Sequence, residues 1–108
     1  MTVRRRGGDA IVGISPEPIS TLYKPCVDIL MNSVADSFSE ATLGVILTGM
    51  GNNGVQGIRR IKDKGGVVVA QSEQTCVVYG MPRAVIEAGL ADHIAAIDDI
   101  PAEITSYF

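Results

Sequence analysis

The chain has 108 residues, a formal net charge of −3, a pI near 4.9 and a mean hydropathy of +0.26. Hydrophobic residues make up 46% of it and charged residues 19%, a balance that builds a packed core and excludes a disordered chain. The acidic balance argues against nucleic acid as a main partner, and apolar runs of about five residues fall far short of the ~20 that span a bilayer.

At this length the chain is one domain or part of one. No basic start leads into an apolar signal segment, so a cytoplasmic location without membrane insertion is expected. Thr2–Arg6 and Asp9–Ile14 flank Gly7-Gly8, the pattern of a hairpin, with Arg4-Arg5-Arg6 read as its solvated tip. Residues 15–24 contain Pro16 and Pro18 and read as an extended connection, and Pro25 suits the first turn of a helix. Val27, Leu30, Met31, Val34 and Phe38 then recur at spacings of three and four, which predicts one apolar face over about three turns, ending near Ser39.

Gly44-Val45-Ile46-Leu47-Thr48 is a short apolar run of the kind that is covered on both faces in a parallel sheet. Asn52 or Asn53 is placed to cap the next helix, in which Val55, Ile58 and Ile61 face inward and which Gly65-Gly66 ends. Val67–Gln71 reads as a second strand, Pro82–Ala88 as a helix stopped by Gly89, His93–Ile97 as a third strand, and Asp98 or Asp99 as the cap of a last helix from about Pro101. The order is a hairpin over residues 1–15, a helix over 25–39 and βαβαβα over 44–108. Such an order gives parallel strands with short connections: a three-layer α/β architecture with a mainly parallel, doubly wound sheet. Three parallel strands are few for it, so the chain reads as part of a larger sheet. Cys26 and Cys76 read as reduced core thiols without a second metal-type ligand at useful spacing; no metal site is expected.

The working edge of such a sheet is the carboxyl end of its strands, where Gly49-Met50-Gly51-Asn52-Asn53-Gly54 follows a strand and opens a helix. Three readings compete. The loop satisfies G-x-G-x-x-G, and Glu73 lies about twenty residues on, where a dinucleotide's ribose would want an acid. Equally, its amides can converge on a developing oxyanion while a side chain orients a histidine, as in a hydrolase. Or it is a plain turn that needs glycine for its dihedrals. Residues 49–54 alone leave all three open.

Three separate motifs, Tyr23-Lys24-Pro25-Cys26-Val27-Asp28, then Gly44 through Gly54, then Ala70 through Pro82, together closely resemble the catalytic domain of the CheB-type chemotaxis receptor protein-glutamate methylesterases. The likeness runs from the Gly7-Gly8 hairpin almost to Phe108. The resemblance implies a cytoplasmic signal-transduction hydrolase without a cofactor, which cleaves glutamyl methyl esters on chemoreceptors, in some members deamidates glutamines, and works through a serine, a histidine and an aspartate under a phosphorelay receiver domain.

Carried onto this chain, the oxyanion-hole N–H falls at Met50 and the triad acid at Asn53, where the family has aspartate. The family's serine and histidine lie before the segment that matches residue 1. Gly49, Gly51, Asn52, Gly54, Glu73 and Thr75 fall along the substrate groove. The only histidine, His93, opens a strand and is read as structural; Ser72 lies near the working edge but on no nucleophile elbow. The expectation is therefore a partial catalytic domain, inactive by itself, whose partners are chemoreceptors, a companion N-terminal segment or receiver domain, and a second copy of itself. The alternatives are a dinucleotide- or anion-binding module and a non-catalytic interaction protein.

Overall fold

The computed structural model describes residues 2–13, 27–51 and 53–107. The expected extended connection over residues 15–24, Pro25, Cys26 and Asn52 lie outside them.

Strands β1 (Thr2–Arg6) and β2 (Asp9–Gly13) pair antiparallel with Arg6 opposite Asp9. The two-residue turn between them takes a positive φ (+61°) at Gly7, which glycine adopts without steric cost. Arg4, Arg5 and Arg6 are exposed but belong to β1 rather than to the tip, and the Arg5 guanidinium lies 5.2 Å from the centre of the Phe38 ring. That ring ends helix α1 (Val27–Phe38).

Helix α1 packs on more than the one apolar face that the spacing predicts. Only Ala35 is fully buried, and the rest of the helix from Val27 to Phe38, Asp36 apart, is half-buried, because α1 lies between α2 on one side and the hairpin on the other. The polar positions do part of the packing. The Val3 amide donates to Ser33 Oγ (2.7 Å), and Ser37 Oγ donates to the Val3 carbonyl (3.2 Å). Two hydroxyls one helical turn apart thus satisfy backbone groups of β1 that would otherwise be an open edge.

Strands β3 (Leu43–Ile46), β4 (Val67–Gln71) and β5 (His93–Ala95) form a parallel sheet in that order. Helices α2 (Val55–Asp63) and α3 (Gly80–Glu87) connect them, and α4 (Ile100–Thr105) follows β5. Alternation along the strands divides the core into two. Ile46, Val68 and Ala70 pack with Ile58, Ile61, Val85 and Leu90 on one face; Val69 and Ala95 pack with Ile100, Leu43, Val45 and Ile104 on the other. This is the α/β, mainly parallel, layered architecture that the sequence predicts.

Boundaries differ by a few residues. β3 stops at Ile46, so Leu47 and Thr48 already belong to the rim; β5 ends at Ala95, and Ile97 opens a 3-10 turn (Ile97–Asp99). Asp98 and Asp99 do not cap α4 through their side chains: Asp99 has near-helical dihedrals (−94°, −12°) and makes no cap bond. Instead the Asp99 and Ile100 amides both donate to the Ala96 carbonyl. The glycine stops are as expected. Gly65 (φ +88°) and Gly89 (φ +72°) each follow a helix whose last carbonyls accept from the glycine and from the next residue, Gly65 and Gly66 to Lys62 and Ile61, Gly89 and Leu90 to Ile86 and Val85, the double bond pattern of a Schellman termination.

Candidate active site

The rim of the sheet is built from two loops. The first runs from Leu47 to Gly54, between β3 and α2; the second runs from Ser72 to Tyr79, between β4 and α3. Thr48 stands at their junction: its hydroxyl donates to the Val78 carbonyl (2.9 Å) and accepts from the Val78 amide (2.9 Å). Next to it the Gly49 amide donates to the same carbonyl (2.8 Å), and the Gly49 carbonyl accepts from the Met81 amide (2.9 Å). A side chain on Gly49 would collide with Met81, and one on Gly80 would come within 2.8 Å of the Gly51 nitrogen, so the two loops meet at glycines where no Cβ intervenes.

Gln71 locks the arrangement from below. It is 2% exposed; its Oε1 accepts from the Thr48 amide (2.8 Å), and its Nε2 donates to the Thr75 carbonyl (3.0 Å) and to Thr75 Oγ1 (3.1 Å). The sequence had marked Gln71 only as the end of a strand. A primary amide closing an aliphatic run was the available signal, since a buried amide needs both its donor and acceptor sides matched.

Of the two asparagines expected at the cap of α2, Asn52 lies outside the described residues and Asn53 stands one position before the N-cap. Gly54 occupies the N-cap with φ +107° and has no side chain that could accept a helix N–H. The cap comes from another helix: Asp28 Oδ1 accepts the Gly57 amide (2.8 Å), the third N–H of α2 and one of the groups a terminus leaves unpaired. Gly57 is glycine because α1 crosses there: a Cβ would come to 2.5 Å from Met31 Cβ. The carboxylate also sits at the positive end of the α2 dipole.

The remaining sequence-derived residues fall as follows. Met50 projects from the rim, 82% exposed; Gly51 is exposed with φ +83°; Asn53 is half-buried at the start of the turn into α2. These share the carboxyl end of the sheet with Glu73 and Thr75, but the last two differ in kind. Thr75 is tied into its own turn, its hydroxyl accepting from the Ile97 amide (3.1 Å) as well as from Gln71. Glu73 is exposed and, with Tyr79, Arg83 and Glu87, lines an open cavity of about 380 Å³, in which Arg83 Nε pairs with Glu87 (2.8 Å).

Cys76 is free and half-buried rather than a core residue; burial, and then the charge of Glu73, push its thiol above the ordinary range, which disfavours the thiolate. His93 is exposed, opens β5 at its amino end, pairs in register with Val69 of β4 and faces the Tyr107 ring at 6.2 Å. Ser72 contacts Thr75. Among the described residues no cluster of three or more His, Cys, Asp or Glu gathers that would hold a metal, and no helix is long and apolar enough to cross a membrane.

Fold and rim define a class: a parallel α/β domain whose strand-to-helix loop is glycine-rich and braced at the carboxyl edge, the place where such sheets do chemistry. Comparison with known proteins narrows this. The family model for CheB methylesterase matches residues 1–104. A protein-glutamate methylesterase/protein-glutamine glutaminase of Desulfitobacterium hafniense is 50% identical over 105 residues, 96% of this chain and 27% of the relative. One from Moorella thermoacetica is 53% identical over 103 residues, 94% of this chain and 24% of the relative. The crystal structure of the Thermotoga maritima CheB methylesterase catalytic domain superposes with a TM-score of 0.94 at 33% identity, over 99% of this chain and 57% of that one. The chain belongs to the CheB methylesterase family. It spans about a quarter of the length of these curated relatives.

Proposed function

We propose that this chain supplies the oxyanion and triad-acid corner of a protein-glutamate methylesterase, and that it hydrolyses glutamyl methyl esters of chemoreceptors only together with a segment that brings the nucleophilic serine and the histidine. One observation carries the reading: the loop that holds Met50 and Asn53 lies at the carboxyl end of the parallel strand β3 and is braced through Gly49, Thr48 and Gln71. Rigid backbone donors at such an edge can stabilise charge as it develops, without reorganising during the reaction.

In this mechanism the serine oxygen attacks the ester carbonyl as its proton passes to histidine. The Met50 N–H donates to the carbonyl oxygen as it becomes an oxyanion. Collapse of the intermediate expels methanol with the proton from histidine, and water then hydrolyses the acyl-serine by the same route. The residue at 53 orients the histidine. An aspartate there fixes the useful tautomer and stabilises the imidazolium; the Asn53 amide matches its size but brings no charge and can offer N–H in place of an acceptor. In a serine-protease triad that exchange lowers kcat by about 10⁴, and a serine nucleophile, unlike a thiol, does not ionise readily enough to compensate.

The isolated chain is therefore inactive, and a companion segment restores slow turnover. Methanol release from methylated receptor tests this, with the chain alone, with a polypeptide carrying the family's serine and histidine portion, and with Asn53→Asp. The expected order is none, slow, and faster by up to about 10⁴. Esterase activity in the chain alone, or an Asn53→Asp chain no faster than the parent once complemented, overturns the assignment. The dinucleotide reading finds no support in the bonding of the loop: the first-glycine amide, Gly49, already donates to Val78.

A further inference from the structure

We propose that Val77 and Val78, with the Met50 side chain, form an apolar platform that selects glutamyl esters whose neighbours in the substrate protein are themselves apolar. This selectivity rests on the function proposed above and specifies the substrate that the same site takes.

The platform stands on the two loops of the rim. Val77 is 92% exposed, and Leu47, Met50 and Val78 are exposed on the same loops. Their backbone is nonetheless fixed. The Val78 carbonyl accepts the Gly49 amide (2.8 Å) and the Thr48 hydroxyl (2.9 Å), and the Val78 amide donates to that hydroxyl (2.9 Å). Beyond Val78 the second loop passes so close to the first that a Cβ on Gly80 would come to 3.1 Å from the Gly49 carbonyl oxygen. Valine has little rotamer freedom of its own. The surface is therefore set before anything binds, and covering it costs little ordering.

The reach of the substrate side chain says what covers it. In the proposed reaction the ester belongs to a protein, and its carbonyl carbon lies about 4 Å from the Cα that bears it. When its oxygen accepts the Met50 N–H, the substrate backbone is within about 8 Å of the Met50 nitrogen. Val78 is inside that radius, because its carbonyl is bonded to the amide of the residue before Met50, and Val77 adjoins it. The residues that flank the ester therefore come down on this surface. A companion segment that brings serine and histidine must leave the same space open, or the ester could not enter. Apolar flanks release water from both surfaces; polar flanks give up hydrogen bonds to water that methionine and valine side chains do not replace. The platform also has an edge. Past Val78 the surface turns polar, where Glu73, Tyr79, Arg83 and Glu87 line the open cavity of about 380 Å³, so the selection is confined to residues next to the ester.

The test uses two peptides that each carry a single glutamyl methyl ester and differ only in the residues flanking it, leucine in one and asparagine, of similar size, in the other. Fluorescence anisotropy gives their affinities for the intact chain, and methanol release gives kcat/KM for each with the complemented enzyme. Expected is a preference of about tenfold for leucine flanks in both measurements. Val77→Asp should abolish that preference and Val77→Leu should keep it. Neither variant should move the urea midpoint, or the complemented enzyme's rate on free glutamate γ-methyl ester, which has no flanking residues. Equal affinity for the two peptides, no measurable affinity for either, or a Val77→Asp chain that retains the preference overturns the platform. So does a Val77→Asp chain that loses its hold on the companion polypeptide while its peptide affinities stay unchanged, since the surface is then a contact between the two segments. A preference in affinity without methanol release from either peptide upholds the platform and counts against the catalytic assignment; methanol release without a preference does the reverse.

Discussion

At Gln71 a primary amide ends an otherwise aliphatic strand and is shielded from water, and both loops of the rim hang from it. Replacing it by leucine keeps the volume but leaves the Thr48 amide and the Thr75 carbonyl without their partner. Leaving buried polar groups unpaired costs about 2 kcal/mol, so Gln71→Leu should lower the free energy of unfolding by that much, read as a lower urea midpoint with an unchanged m-value. Because Thr48 precedes the Met50 amide by two residues, the same variant should also slow the complemented esterase beyond its effect on stability. Alanine at Asp28 acts differently. The Asp28 carboxylate is the cap that Gly54 cannot provide, and removing a cap costs about 1 kcal/mol; thermal unfolding of Asp28→Ala should show the loss, with Asp28→Asn recovering most of it because its side-chain oxygen can still accept the Gly57 amide.

Among the elements, the junction of α2, β4 and β5 has its own electrostatic tie. Asp92 accepts from Lys62 Nζ (2.6 Å) and from the Val68 amide (2.8 Å), and its own amide donates to the Val68 carbonyl (2.8 Å). Burial works against ionisation of Asp92, but the bonds from Lys62 and Val68 outweigh it, and its carboxyl lies below the usual range. A carboxyl with a folded pKa below its unfolded value of about 3.9 contributes stability that is complete above that value and is lost as pH falls through the folded pKa. Chemical unfolding measured from neutral pH into strong acid should therefore show a decline beginning near the unfolded value. Asp92→Asn should remove this part of the decline and be less stable at neutral pH. Since the pair is about one-third exposed (31% and 32%), screening keeps the effect small.

On the scale of the whole molecule, the sheet is covered unevenly. Helices α2 and α3 cover one face, while among the described residues the other carries only the short α4. Leu43, Val45, Val67, Ile104 and Tyr107 line a cavity of about 550 Å³ there, with the buried Thr42 hydroxyl at its edge lacking a hydrogen-bond partner among the described residues. Ile94 is 56% exposed and Tyr107 40%. Apolar surface beside an edge strand favours association, so light scattering of the isolated chain should show a mass that rises with concentration. Addition of the companion segment should suppress this, and a monomer that persists at high concentration contradicts it.

The sequence by itself determined most of the fold and the location of the rim. Aliphatic runs beside glycine named β3 and β4, because a strand covered on both faces has few polar positions to show. Gly65 and Gly89 named two helix ends, because few other residues take the dihedrals that those terminations need. Three ordered motifs named the family. Tertiary structure decided what periodicity cannot encode: that α1 is packed on two sides, with Ser33 and Ser37 holding the hairpin, that the cap of α2 comes from Asp28 on another helix, and that Gln71 and Thr48 brace the two loops. Apart from the Gln71–Thr75 bonds within one turn, those contacts join residues some twenty to thirty-five positions apart, whose chemistry stays unspecified until the chain brings them within hydrogen-bonding distance.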